Sequence, residues 1–162
     1  MMWYIGIDLG LSGGIVMLDE NQKVINKFVM PIIKIKGKSQ YDVGRIIEIL
    51  NVPEPADTFC CIEKAHVRPI SGKRASFMTG FGFGLIQGIL ESIGISYEIV
   101  KPQTWMKELE IDSKDGKGSI LFCQRKWPDV DWKATERCIK VHDGLTDSCC
   151  LAFYSWRKNR LG

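Results

Sequence analysis

Apolar residues follow two patterns along the chain. Short apolar runs bounded by turn residues are typical of buried strands, whereas apolar positions three or four residues apart favour helices. On this basis the sequence predicts strands at residues 3–9, 14–18, 24–30, 58–62 and 96–100. It predicts helices at residues 43–50, 78–93, 117–127 and 144–160, and a short helix that begins at Pro102.

The order of these elements predicts an α/β fold. Three antiparallel strands come first and strands then alternate with helices, so we expect a mixed five-stranded sheet flanked by helices. In this order the first and fourth strands are neighbours at the centre of the sheet. Pro31 ends the third strand, and the lysine-bearing segment that follows it is predicted to be a basic loop leading to the first helix.

Length and composition narrow the class of protein. The chain has 162 residues, 45% of them hydrophobic, which fits one domain over residues 1–162. No apolar run reaches the roughly 18 residues that a membrane span needs. The apolar N-terminus carries Asp8 and no basic segment, so we do not interpret it as a signal peptide. We therefore expect a soluble intracellular protein, without a membrane partner, whose six cysteines are reduced thiols.

The net charge of +3 is too small to identify a nucleic-acid-binding protein, but the basic residues are clustered. Residues 64–74 contain no acid, and further basic stretches lie at residues 34–38 and 157–160. Each stretch alone is typical of a solvated loop or tail; together they favour a surface that faces phosphates. The candidate DNA-binding residues in and beside the first stretch are Lys64, His66, Arg68, Lys73, Arg74 and Phe77.

Four acidic residues stand where carboxylates are costly to bury. Asp8 interrupts an apolar strand, Glu63 ends another, and Asp143 and Asp147 flank the start of the last helix. Taken singly, Asp8 could belong to a turn and Asp143 could cap a helix. Together the four are expected to converge, and an all-oxygen ligand set without thiolates favours Mg²⁺ or Mn²⁺ over zinc.

These residues lie in segments that resemble the RuvC-like Holliday-junction resolvases, and more closely the phage and poxvirus type. The matching segments, in the family's order, are IGIDLGLSGGIVML, CIEKAHVRP, FGFGLIQGILESIGI, VKPQTWMKELEI, KDGKGSI and HDGLTDSCCLAFY. They cover most of the chain, and the section from Pro31 to Pro55 is the least diagnostic. IGIDLG also occurs in actin-like ATPases, but this chain is too short for their second lobe, and no nucleotide cofactor is expected.

The resemblance implies a ribonuclease H-like fold and a homodimeric, Mg²⁺-dependent endonuclease. Such an enzyme would resolve four-way DNA junctions by paired symmetric nicks, through two metal ions, leaving 5′-phosphate and 3′-hydroxyl ends. The family's metal-binding acids map onto Asp8, Glu63, Asp143 and Asp147. The last two are four residues apart here, whereas bacterial members space them by three, so Asp143 is the looser assignment. His142 either assists there or forms a local hydrogen bond.

The resemblance also implies roles for residues outside the acidic set. The family's basic helpers carry over to Lys107 and Lys117, which would neutralise charge near the scissile phosphate. Residues 77–90 are the candidate dimer face, with burial in the chain's own core as the alternative. Phe77 and His66 are candidates for stacking on an opened base, and Trp105, Trp127 and Trp132 are predicted to be core residues.

Two other functions fit the same fold. One is a RuvX-like nuclease that processes RNA, against which the PQTW and HDGLTDS segments argue. The other is a branched-DNA-binding module without catalysis, although all four acids are present.

Overall fold

The computed structural model describes residues 1–66, 72–112, 114 and 116–160. Its strands are β1 (Trp3–Asp8), β2 (Gly14–Asp19), β3 (Val24–Val29), β4 (Ile32–Ile35), β5 (Lys38–Tyr41), β6 (Thr58–Glu63) and β7 (Ser96–Val100). Its helices are α1 (Val43–Leu50), α2 (Lys73–Ile93), α3 (Pro102–Glu108), α4 (Gly118–Lys126) and α5 (Asp143–Arg160), with a 3₁₀ turn at Pro55–Asp57.

The central sheet has five strands in the order β3-β2-β1-β6-β7. The pairs β3–β2 and β2–β1 are antiparallel, whereas β1–β6 and β6–β7 are parallel. The predicted mixed five-stranded sheet is therefore confirmed. Because β1 and β6 run side by side in the same direction, their carboxyl ends meet at one edge of the sheet.

Residues 32–41 differ from the predicted basic loop. They form a two-stranded antiparallel hairpin, separate from the main sheet. Lys36 and Gly37 both have positive φ, 49° and 74°, as a two-residue hairpin turn requires. The alternating isoleucines and lysines did not predict a strand, because they lie between Pro31 and a polar turn.

The second helix begins at Lys73, five residues before the predicted start at Met78. Its first turn is polar, so apolar periodicity could not reveal it. Lys73 and Arg74 therefore lie on this helix and not in a loop. The Arg74 guanidinium donates a hydrogen bond of 3.1 Å to the Ser39 carbonyl, which ties α2 to the β4–β5 hairpin.

Two hydrophobic cores lie on opposite faces of the sheet, as the two-residue period of strands dictates. On β1, Tyr4 belongs to the core beneath α3, α4 and α5, while Ile5 and Ile7 belong to the core beneath α1 and α2. All six cysteines are free thiols. Among the described residues, no helix is both long and apolar enough to cross a membrane.

The last helix lies directly on the first strand. A side chain at Gly6 of β1 would overlap the Ser148 carbonyl oxygen and the Ala152 amide nitrogen of α5, so the two backbones touch. Ser148 also joins them: its hydroxyl accepts a hydrogen bond from the Asp8 amide at 3.3 Å. This close approach places the first turns of α5 next to the end of β1.

Candidate functional site

Asp8 and Glu63 lie at the adjacent carboxyl ends of β1 and β6. The parallel register pairs Ile7 with Ile62, so the next residue of each strand points the same way out of the sheet. Both carboxylates line a cavity of about 520 Å³ that is open to solvent. Ligand sites of parallel sheets are found at this edge. The wall of the cavity is completed by Leu9, Gly10, Lys64, Ala65, His66, Thr79, Lys101, Pro102 and Gln103.

Helix α5 adds Asp143 and Asp147, one turn apart, to the same region. Burial raises the pKa of Asp8 well above its usual range, and the negative charges of Glu63, Asp147 and Asp143 raise it further. The four predicted acids are therefore close enough to repel one another. Asp147 is partly buried, whereas Asp143 is exposed and accepts a hydrogen bond of 2.9 Å from the Gly144 amide.

The environment of Glu63 combines burial with one strong hydrogen bond. Burial raises the pKa of Glu63, the Trp105 indole lowers it by hydrogen bonding to the carboxylate, and the charge of Asp147 raises it again. The indole Nε1 lies 2.9 Å from Oε2 of Glu63. Trp105, predicted to be a core residue, is indeed fully buried, but its polar edge faces the site.

Asp147 is buried enough to keep its proton to a higher pH than an exposed aspartate does. The pKa of Asp147 is raised to about 6, mainly by burial. A hydrogen bond from Ser119 lowers this pKa, and the charges of Asp143 and Cys123 raise it. Ser119, at the start of α4, is buried and lies 3.1 Å from the Thr146 hydroxyl. The α4–α5 contact therefore supports Asp147.

His142 has a local role. Its ring Nδ1 accepts a hydrogen bond of 3.3 Å from the Leu145 amide, and its carbonyl accepts from the amides of Leu145 and Thr146. The residue therefore caps the first turn of α5, which is the local hydrogen-bonding alternative that the sequence left open.

The basic residues divide between the cavity and its surroundings. Lys64 and His66 line the cavity, as does Lys101, which the sequence analysis missed. Lys107 is exposed and lines a neighbouring depression, which shares Gln103 with the cavity. Lys117 is exposed at the start of α4. Arg68 lies outside the described residues.

Lys101 could have been found from its position. It directly follows β7, whose Val100 pairs with Glu63 at the end of β6. A residue that follows a parallel strand lies at the same edge as the ends of its neighbours. Thr79 and Gln103 carried no comparable signal, because they come from helices whose orientation only the tertiary structure sets.

The carboxylates fit a hard divalent cation by their chemistry. Within the described parts of the chain, none of the four forms an ion pair with a lysine, arginine or histidine. Nor are three His, Cys, Asp or Glu side chains gathered there as a ready ligand set. Mg²⁺ needs no such set, because it is commonly held by one or two carboxylates together with waters and phosphate oxygens.

The stability of the metal-free protein should therefore fall as the pH rises from 4 to 7. Because the pKa of Asp147 is about 6 in the folded state and 3.8 as a model value, the folded protein binds more protons in this window. The free energy of unfolding can be measured by chemical denaturation in EDTA. The value for wild type minus that for Asp147→Asn should decrease by about 1–3 kcal/mol from pH 4 to pH 7. A difference that is constant or that grows with pH would contradict the burial of this charge.

Neither a protein-family profile nor a curated protein matches the chain in sequence. Solved structures do match it in fold. The RuvC protein of Thermus thermophilus in complex with a Holliday junction substrate aligns with a TM-score of 0.65 and 13% identity, covering 100% of this chain and 97% of that one. A second Thermus thermophilus RuvC structure aligns with a TM-score of 0.60 and 16% identity, covering 99% and 97%. The ribonuclease H-like fold of RuvC, expected from the sequence motifs, is thereby confirmed.

Proposed function

We propose that this protein is a divalent-metal-dependent endonuclease that resolves four-way DNA junctions, in a single nuclease domain over residues 1–162. The observation that carries the proposal is the placement of Asp8 and Glu63 at the adjacent ends of β1 and β6, with Asp147 near enough to raise the pKa of both. Three half-buried carboxylates that repel one another destabilise the fold, so their presence points to a function that requires them.

Asp8, Glu63, Asp143 and Asp147 are the residues that would hold the metal. Two Mg²⁺ ions, for which Mn²⁺ can substitute, would supply Lewis-acid stabilisation of the scissile phosphate and an acidified water. The protein itself holds the acids at fixed positions: Asp8 at the end of β1, Glu63 at the end of β6, and Asp143 and Asp147 at the start of α5. Hydrolysis of the bond between phosphorus and the 3′ oxygen would leave 5′-phosphate and 3′-hydroxyl ends.

Cations at the rim of the cavity support phosphate binding. Lys64, His66 and Lys101 line the cavity beside Asp8 and Glu63, so a DNA backbone entering it would meet the positive charges of the two lysines as well as the acids. Lys73 and Arg74 lie on the exposed first turn of α2, and the lysines of the β4–β5 hairpin are close by through the Arg74–Ser39 bond.

Phe77 is suited to stack on an opened base. Its side chain is 68% exposed, which is unusual for phenylalanine. The ring lies nearly parallel to that of Phe81, with centroids 6.2 Å apart and planes within 12°. We propose that the pair forms a platform for a base at the branch point.

The outer face of α2 supports a homodimer. Gly80, Gly84 and Gly88 are spaced by four residues, and a side chain added at any of them would meet nothing within 4 Å in the described part of the chain. These three glycines form an exposed stripe along the helix. The opposite side of residues 77–90, with Gly82, Ile86, Ile89 and Leu90, is buried in the chain's own core, so only the exposed glycine stripe stays a candidate dimer face. A second copy of the helix could approach closely there, and two-fold symmetry would place two sites on opposed strands.

A panel of labelled substrates tests the proposed function. With Mg²⁺, the protein should nick a four-way DNA junction at least about 100-fold faster than a linear duplex or a structured RNA of the same length. Preference for the RNA would favour an RNA-processing nuclease. Tight binding of the junction without cleavage in Mg²⁺ or Mn²⁺ would favour a binding module. Both outcomes contradict a resolvase.

A further inference from the structure

Trp105 directs its single polar atom at a candidate metal ligand. The side chain has no exposed surface, and its Nε1 donates a hydrogen bond of 2.9 Å to Oε2 of Glu63. Helix α3 makes this contact possible. It begins at Pro102, two residues after β7, and carries the indole back over the end of the neighbouring strand β6.

The other tryptophans with a described hydrogen bond use it differently. Trp127 donates to the Gln22 carbonyl at 2.7 Å and Trp156 to the Glu20 carbonyl at 2.9 Å, both in the turn that follows β2. Those bonds join loops to helices through the main chain. Trp105 alone among these three donates to a carboxylate, and that carboxylate lines the cavity.

The hydrogen bond limits how Glu63 can turn. A glutamate at a strand end has three rotatable side-chain bonds, and fixing one carboxylate oxygen on a rigid, buried donor restricts all of them. Hydrogen bonds of this kind to a metal-binding side chain commonly change metal affinity by 10–100-fold when they are removed.

We propose that Trp105 is a positioning residue that orients Glu63 to bind a divalent cation. This inference rests on the proposed function, because it takes Glu63 as a ligand. It also explains the PQTW segment, in which proline starts the helix and tryptophan, three residues later, reaches the carboxylate. Trp105 acts through Glu63 and has no contact with substrate.

The test compares Trp105→Phe with Trp127→Phe. Both variants lose one indole and one hydrogen bond from a buried site, but only the first bond ends on Glu63. Calorimetric titration of the DNA-free protein with Mn²⁺ should show affinity about tenfold weaker for Trp105→Phe and unchanged for Trp127→Phe. Equal Mn²⁺ affinity in folded Trp105→Phe and wild type would overturn the proposal.

A second measurement on wild-type protein covers the case in which Trp105→Phe does not fold. In ¹⁵N-labelled protein, the indole N–H resonance of Trp105 should move on titration with Mg²⁺, while those of Trp127 and Trp156 stay in place. A Trp105 resonance that does not respond while Mg²⁺ binds would overturn the proposal. Wild type that binds neither Mn²⁺ nor Mg²⁺ would instead contradict the proposed function, so the two failures are distinguishable.

Discussion

Replacing Asp8 with asparagine is expected to abolish junction cleavage, by about a thousandfold or more, and at the same time to stabilise the metal-free protein. Cleavage is lost because a neutral amide cannot replace the carboxylate at the meeting point of the acidic cluster. Stability is gained, by about 1–2 kcal/mol, because the substitution removes a buried charge that Glu63, Asp147 and Asp143 repel.

Cleavage and stability are measured separately. Single-turnover nicking of a labelled junction gives the cleavage rate, and chemical denaturation in EDTA at a pH of about 7.5 gives the free energy of unfolding. Junction binding should survive, because the cations that line the cavity are untouched. The matched control is Asp57→Asn, at an exposed position in the 3₁₀ turn, which should change neither quantity. Unimpaired nicking by Asp8→Asn, or a loss of stability, would contradict the site.

Replacing Gly6 with alanine is expected to cost at least about 3 kcal/mol of unfolding free energy. The added methyl group would overlap backbone atoms of Ser148 and Ala152, and backbone cannot move aside as a flexible side chain can. Helix α5 would have to lift away from β1, which would also separate Asp147 from Asp8. The loss of stability should therefore be accompanied by loss of cleavage in whatever fraction stays folded.

A second glycine-to-alanine change provides the control. Gly44 is an exposed residue of α1, and the one described atom near an added methyl group is a carboxylate oxygen of Asp42 at 3.8 Å, an ordinary contact. Alanine favours helix by up to about 1 kcal/mol over glycine, so Gly44→Ala should leave stability unchanged or raise it. Thermal and urea denaturation of both variants measure these changes in stability. A Gly6→Ala protein as stable as wild type would contradict the close packing of β1 and α5.

All five main strands appear within two residues of their predicted bounds. The central strands β1, β2 and β6 could be predicted because they are short, apolar and largely buried on both faces. The edge strands β3 and β7 are more exposed, and the turn residues and prolines beside them marked their ends. Strand adjacency then followed from the order of the elements. It predicted the meeting of Asp8 and Glu63, which the parallel register of β1 and β6 produces.

Other features could not be predicted because they depend on tertiary contacts. The β4–β5 hairpin has little buried surface, so its isoleucines gave no burial pattern. The first turn of α2 is polar, and no apolar period marks its start. Trp105 was correctly predicted to be buried, but nothing in the chain's local pattern indicates that its indole would end on Glu63. The position of Lys107, in a depression beside the main cavity, likewise follows from the angle of α3.

The most direct test of the account is the position of the cuts in a four-way junction. A junction labelled on each of two opposed strands should, in Mg²⁺, be nicked on both, at positions related by its two-fold symmetry. The products should be sealed by DNA ligase, as 5′-phosphate and 3′-hydroxyl ends require. Nicks at unrelated positions, cleavage of one strand only, or equal cutting by the Asp8→Asn variant would contradict a dimeric resolvase that acts through these carboxylates.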